Sequence, residues 1–139
     1  MTRMEPEEEP EPVAQESFES FLRAGIELFD EGRYHEAHEA FERPWLSGAG
    51  EDEDFYKGLI QASICLHHFS RGELDGAAKL YSGHRRLLAA YLPQHHSVEL
   101  TRFLGEMQQC LRPVLRRAPE DRIPFDPQTR PRLGEIREE

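Results

Sequence analysis

From His35 to Trp45 the chain reads His-Glu-Ala-His-Glu-Ala-Phe-Glu-Arg-Pro-Trp, which sets two imidazoles and three carboxylates on little more than two helical turns. At 3.6 residues per turn, His35, His38, Glu39 and Glu42 share one side of a helix, and Tyr34, Ala37, Phe41 and Trp45 form the adjoining apolar stripe. Metal binding and acid/base chemistry both suit such a face. Two standard metal sites are excluded. His-Glu-x-x-His would need a histidine where Glu42 stands, and a carboxylate di-iron bundle needs Glu-x-x-His on two helices, which neither the second nor the third helix carries. A single divalent ion on His38, Glu42 and His68, with Glu39 or Gln61 beside it, fits the residue types. Histidine and carboxylate ligands with an open position suit Zn, Mn or Fe, and Glu39 or Glu42 would take the proton of an activated water. The competing reading is a buried hydrogen-bonded network that fixes how helices pack. It would belong to a non-catalytic interaction module that holds a peptide or partner helix in a groove. Trp45 is a core anchor in either case, or the wall of a ligand pocket shared with Gln61. His35 and Glu36 point to solvent, and His84, His95 and His96 fall at or near helix ends, where a surface role is expected.

The elements that must position these groups are helical throughout. Ser17 can cap a helix running to about Glu31, stopped by Gly32. A second helix runs from Tyr34 to about Trp45. The run Ser47-Gly48-Ala49-Gly50-Glu51-Asp52 is a loop, and Asp52 or Asp54 can cap a third helix, Phe55 to Ser70. Gly72 makes another turn, a fourth helix spans Leu74 to about Tyr91, and a fifth spans roughly Ser97 to Arg117, where Pro113 should kink it or end it early. No strand is expected. A shift of forty residues superposes Phe29 on Phe69, Gly32 on Gly72 and Ala37 on Ala77, so each half reads as a helical hairpin of tetratricopeptide type. Two copies are too few for a solenoid. The expected fold is an all-α compact bundle of about five helices, two hairpins plus a C-terminal helix.

The third helix is apolar around most of its circumference and should be central. Lys57, Gln61 and His68 are its polar exceptions, and a buried Gln or His without a partner costs about 1–3 kcal/mol. His38 and Glu42, spaced i, i+4 at the edge of the second helix's apolar stripe, are their expected partners. His38, Glu42, Gln61 and His68 should therefore meet in one buried cluster, with Glu39 at its margin.

The stretch Gly25 to Leu92 contains Leu28-Phe29-Asp30-Glu31-Gly32-Arg33-Tyr34, then Ala37-His38-Glu39-x-x-Glu42-x-x-Trp45, then Phe55-Tyr56-Lys57-Gly58-Leu59-Ile60-Gln61-Ala62 and His67-His68. In these motifs it resembles the domain of unknown function 309 family. The resemblance implies a small all-helical bundle of the kind often labelled a metal-dependent hydrolase, with family motif positions at His38, Glu39, Glu42, Gln61 and His68. The tails and the fifth helix lie outside it.

Charge and composition narrow the partners. The formal net charge of −10 is concentrated at the ends, since residues 1–16 alone hold six Glu and one Arg. No clustered basic face suggests nucleic acid. The longest apolar run, Leu59 to Phe69, is broken by Gln61, His67 and His68 and is too short for a bilayer. Cys65 and Cys110 lie in apolar helical stretches and read as reduced core thiols. These features suit a cytoplasmic protein of one domain that binds a small molecule or peptide, and they allow self-association. Residues 1–16 are too poor in apolar side chains to repay ordering and read as a disordered acidic tail. The helical domain occupies 17–118, and 119–139 is an extended arm rich in Pro and charge.

Overall fold

The computed structural model describes residues 15–134. The acidic tail expected over residues 1–16 lies outside them, apart from Gln15 and Glu16, which open the first helix. Five helices follow: α1 (Gln15–Asp30), α2 (Tyr34–Leu46), α3 (Glu53–Ser70), α4 (Leu74–Leu88) and α5 (Leu100–Arg116). The fold is all-α, and α3 is its centre. Phe55, Leu59, Ala62, Cys65 and Leu66 of that helix are fully buried, and it packs on both α2 and α4.

The forty-residue echo has a geometric counterpart. In the first turn Gly32 donates to the Phe29 carbonyl at 2.9 Å and Arg33 to Leu28 at 2.9 Å; in the second, Gly72 donates to Phe69 at 3.0 Å and Glu73 to His68 at 2.8 Å. Both are the paired bonds of a Schellman C-cap, which needs a left-handed residue, and Gly32 and Gly72 supply it at φ +84° and +79°. Ala37 and Ala77, the small residues one helical turn later, are fully buried. A methyl group at Gly72 would meet nothing within 4 Å, so Gly72→Ala tests backbone conformation alone. It should lower the unfolding free energy by about 1–2 kcal/mol in a urea titration.

Close approach within the hairpins rests on missing side chains. A Cβ at Gly25 of α1 would lie 2.3 Å from the Phe41 ring of α2, and one at Gly58 of α3 would lie 2.6 Å from Leu88 of α4. Pro113 neither ends nor interrupts α5, which continues to Arg116. The backbone bond it forgoes would be accepted by Gln109, which is exposed, so water can replace it.

Between α4 and α5 the expectation of a strand-free chain needs correction. Gln94–His95 (β1) and Val98–Glu99 (β2) form a two-stranded antiparallel hairpin, with Gln94 opposite Glu99 and His95 opposite Val98. Its two-residue turn is His96-Ser97, at φ 48° and 66°. Such turns usually announce themselves through Asn-Gly or Asp-Gly, and this one carries neither signal. After α5, residues 117–134 run as an arm over the surface. Leu133 is buried, and the Phe125 ring packs edge-on against Tyr34 and Phe69.

Candidate metal centre

The signature residues separate rather than converge. On α2, His38 Nε2 lies 3.9 Å from Glu42 Oε2, a loose i, i+4 pair. On α3, His68 and Gln61 are turned toward α4. His68 Nδ1 pairs with Glu73 Oε1 at 2.7 Å, and its ring lies 3.1 Å from the place a Cβ would take on Gly76. Gln61 fills the space beside Gly83, its Oε1 2.0 Å from the corresponding position. His67, one residue and about 100° around the helix from His68, is the α3 histidine that approaches α2. Its ring centroid is 5.5 Å from that of His35, which is 4.9 Å from His38. The expected single cluster of His38, Glu42, Gln61 and His68 is thus corrected. The α3 side chains turn toward α4, where Gly76 and Gly83 leave room, and His68 pairs with Glu73 just before that helix, not with the edge of α2. Glu39 is exposed, Trp45 is half-buried against the core, and Lys57 is exposed. His84, expected at the surface, is fully buried against Tyr81 and Phe103.

A different group does converge. Asp52, His95 and His96 each offer a ligand atom, and these atoms lie within 4.8 Å of one another; among the described residues this is the group of three that meets that condition. His95 Nε2 is 2.8 Å from Asp52 Oδ1, and His96 Nε2 is 2.6 Å from Asp52 Oδ2. Asp52 ends the short 3-10 turn Gly50–Asp52 and precedes α3 in the N-cap position. Its side chain makes no cap bond and is spent on the two imidazoles instead. Adjacent residues of a strand point to opposite faces, so His95 and His96 could not meet in regular structure. The positive φ at His96 turns its ring back, bringing the two ring centroids to 4.3 Å. A non-glycine pair held in left-handed geometry is the kind of local strain that gathers at functional sites.

The surroundings hold this geometry firmly. The fully buried Phe55 ring packs edge-on against both imidazoles, at 4.8 and 5.5 Å between centroids. Tyr91 covers His95 at 4.7 Å, and its hydroxyl donates to the Glu51 carbonyl at 2.7 Å, tying the hairpin to the loop that carries Asp52. Partial burial works against the Asp52 charge, but the hydrogen bonds and charges of His96 and His95 outweigh it and hold the carboxyl below its ordinary value. The three side chains remain 26–30% exposed, so small molecules can reach them. Two imidazole nitrogens and one carboxylate from two separate loops make a donor set suited to Zn, Mn or Fe(II), with coordination positions left for water.

Residues 22–80 match the family model described as Domain of unknown function (DUF309). Over this segment the chain is similar to the DUF309 family. The DUF309 segment contains α2, α3 and the first half of α4, and it includes Asp52 but not the His95-His96 doublet. No curated protein matches the chain. Among the described residues, no helix is long and apolar enough to cross a membrane. Sequence reasoning passed over Asp52, His95 and His96. The doublet shortly after Leu92-Pro93, with Gln94 between, was the available signal, and only the turn geometry gives it meaning.

Proposed function

We propose that the protein binds one divalent transition-metal ion through Asp52, His95 and His96, and that it is a metal-dependent hydrolase built on a DUF309 helical core. The observation that carries this reading is the convergence of three ligand atoms from two loops on one partly exposed point. Asp52 would supply the anionic ligand, and His95 and His96 would each offer an Nε2 lone pair of a neutral imidazole. A bound ion would contribute Lewis acidity toward a water or a substrate carbonyl. Phe55 and Tyr91 would keep the imidazoles oriented, as packing around ligands does in metal sites generally.

Under this reading His38, Glu42, Gln61 and His68 are not ligands but belong to the packing of the hairpins. The fit of Gln61 against Gly83 and of His68 against Gly76 favours that assignment. It keeps the structural polar core of the alternative reading, a non-catalytic interaction module, while moving the chemistry elsewhere. Isothermal titration calorimetry of the tag-free protein with zinc should give one site per chain. His95→Ala should weaken it at least a hundredfold, and His68→Ala should leave it unchanged. No heat from the native protein, or equal binding by His95→Ala, would refute the metal centre and leave the Asp52 pairings as a structural clasp.

A further inference from the structure

Beside the metal centre, a cavity of about 370 Å³ opens between α1, the His96-Ser97 turn and the C-terminal arm. His96 belongs to both, so whatever fills the cavity lies against a proposed ligand of the ion. Leu22 and Ile26 of α1 and Leu133 of the arm give it apolar walls, and Arg23 stands at its edge with Glu19 one helical turn away. The volume is within the usual range for small-molecule sites, which combine apolar walls with a few placed polar groups.

We propose that this cavity is the substrate pocket of the metal centre and takes a small molecule with an oxyanion head and a short hydrocarbon body. The inference rests on the metal-binding reading above. A divalent ion would keep one net positive charge beside Asp52 and Arg23 adds another, against one carboxylate, Glu19, among the lining residues, so an anion is favoured over a cation. A guanidinium is also the side chain whose fork matches a carboxylate or phosphate in geometry. Leu22, Ile26 and Leu133 leave the body of the ligand no hydrogen-bonding partners, which selects hydrocarbon there. The arm completes the pocket: Leu133 and Gly134 line it, and both are held in place from α1 by Asp30.

The test is an amide NMR titration of the full chain with butyl phosphate and, separately, butyrate, each in metal-free and zinc-loaded protein. Saturable shifts at Ile26, Ser97 and Gly134 with either probe support the pocket, and the probe that binds more tightly tells a phosphate substrate from a carboxylate one. Arg23→Gln should weaken the probe about tenfold and Glu19→Gln should tighten it, since both are exposed side chains whose replacement spares the core. Ile26→Trp, which fills the space, should abolish the shifts while zinc still binds. Zinc binding without any probe shift at these amides overturns the pocket and leaves the metal centre standing. Probe binding without zinc binding overturns the link between them, as does a probe affinity indifferent to both charge substitutions.

Discussion

Acidification from pH 7 to pH 4 is expected to remove roughly 3 kcal/mol of stability through one side chain, His84. Its imidazole is fully buried in α4. Nδ1 donates to the Tyr81 carbonyl at 2.5 Å, and Nε2 is buried with no hydrogen-bond partner. Burial is the chief reason its pKa is pushed down to about 4; the backbone bond to Tyr81 opposes the shift and the charge of Arg85 adds to it. The sign follows from proton counting. The unfolded chain takes up a proton at His84 near pH 6.5, whereas the folded chain resists until about pH 4. The contribution is therefore complete above pH 6.5 and drains away as the pH falls toward 4. Against a total of about 5–15 kcal/mol for an ordinary domain, that is a large share. Carboxylates titrate in the same range, so the measurement is a comparison: urea titrations of the native protein and His84→Leu at pH 7, 5.5 and 4. The variant should lose the steeper part of the pH dependence. Parallel curves for the two proteins would show that His84 is not the sensitive group.

What could be read from the residues, and what could not, divides along a physical line. Helices and hairpins are local, and their signals are local too: Gly32 and Gly72 as C-caps, Ala37 and Ala77 as the small residues that follow, and a third helix too apolar to face water. Those expectations describe the structure well. Side-chain partners depend on which glycine stands opposite, and that is not local. Gln61 and His68 were given to His38 and Glu42 because both pairs are polar edges, yet Gly83 and Gly76 on α4 offered them space. His84 was read as surface from its place near a helix end, but α5 packs over that end and covers it. His95 and His96 lost their meaning for a different reason. Consecutive residues meet only when a left-handed backbone reverses one of them, and no glycine or asparagine marks this turn.

Removing the carboxylate of Asp30 is expected to unseat the end of the C-terminal arm at a cost of about 2–3 kcal/mol. Asp30 closes α1, and its side chain is only 13% exposed. Oδ1 accepts from the Leu133 amide at 2.8 Å and Oδ2 from the Gly134 amide at 3.0 Å, so one carboxylate satisfies two consecutive backbone donors. Hydrogen bonds to a charged acceptor contribute about 1.5–3 kcal/mol, and their loss leaves two donors to find water beside the buried Leu133. Arg132 Nε, 3.8 Å from Oδ2 and half exposed, adds little. Asp30→Ala should therefore lower the unfolding free energy by the stated amount and speed hydrogen exchange at the amides of Leu133 and Gly134. The arm should not detach altogether. Arg130 donates to the Asp30 backbone carbonyl at 2.9 Å, and Arg102 donates to the Gly134 carbonyl at 2.8 Å, and neither bond needs the carboxylate. Asp30→Asn keeps one acceptor oxygen but turns an amide N–H toward the other donor, so it should fall between the native protein and Asp30→Ala. Because Leu133 and Gly134 wall the cavity beside His96, loosening them should weaken the butyl phosphate or butyrate probe while leaving zinc binding at Asp52, His95 and His96 intact. Unchanged exchange at both amides in Asp30→Ala would mean that the burial of Leu133, and not the carboxylate, holds the arm in place.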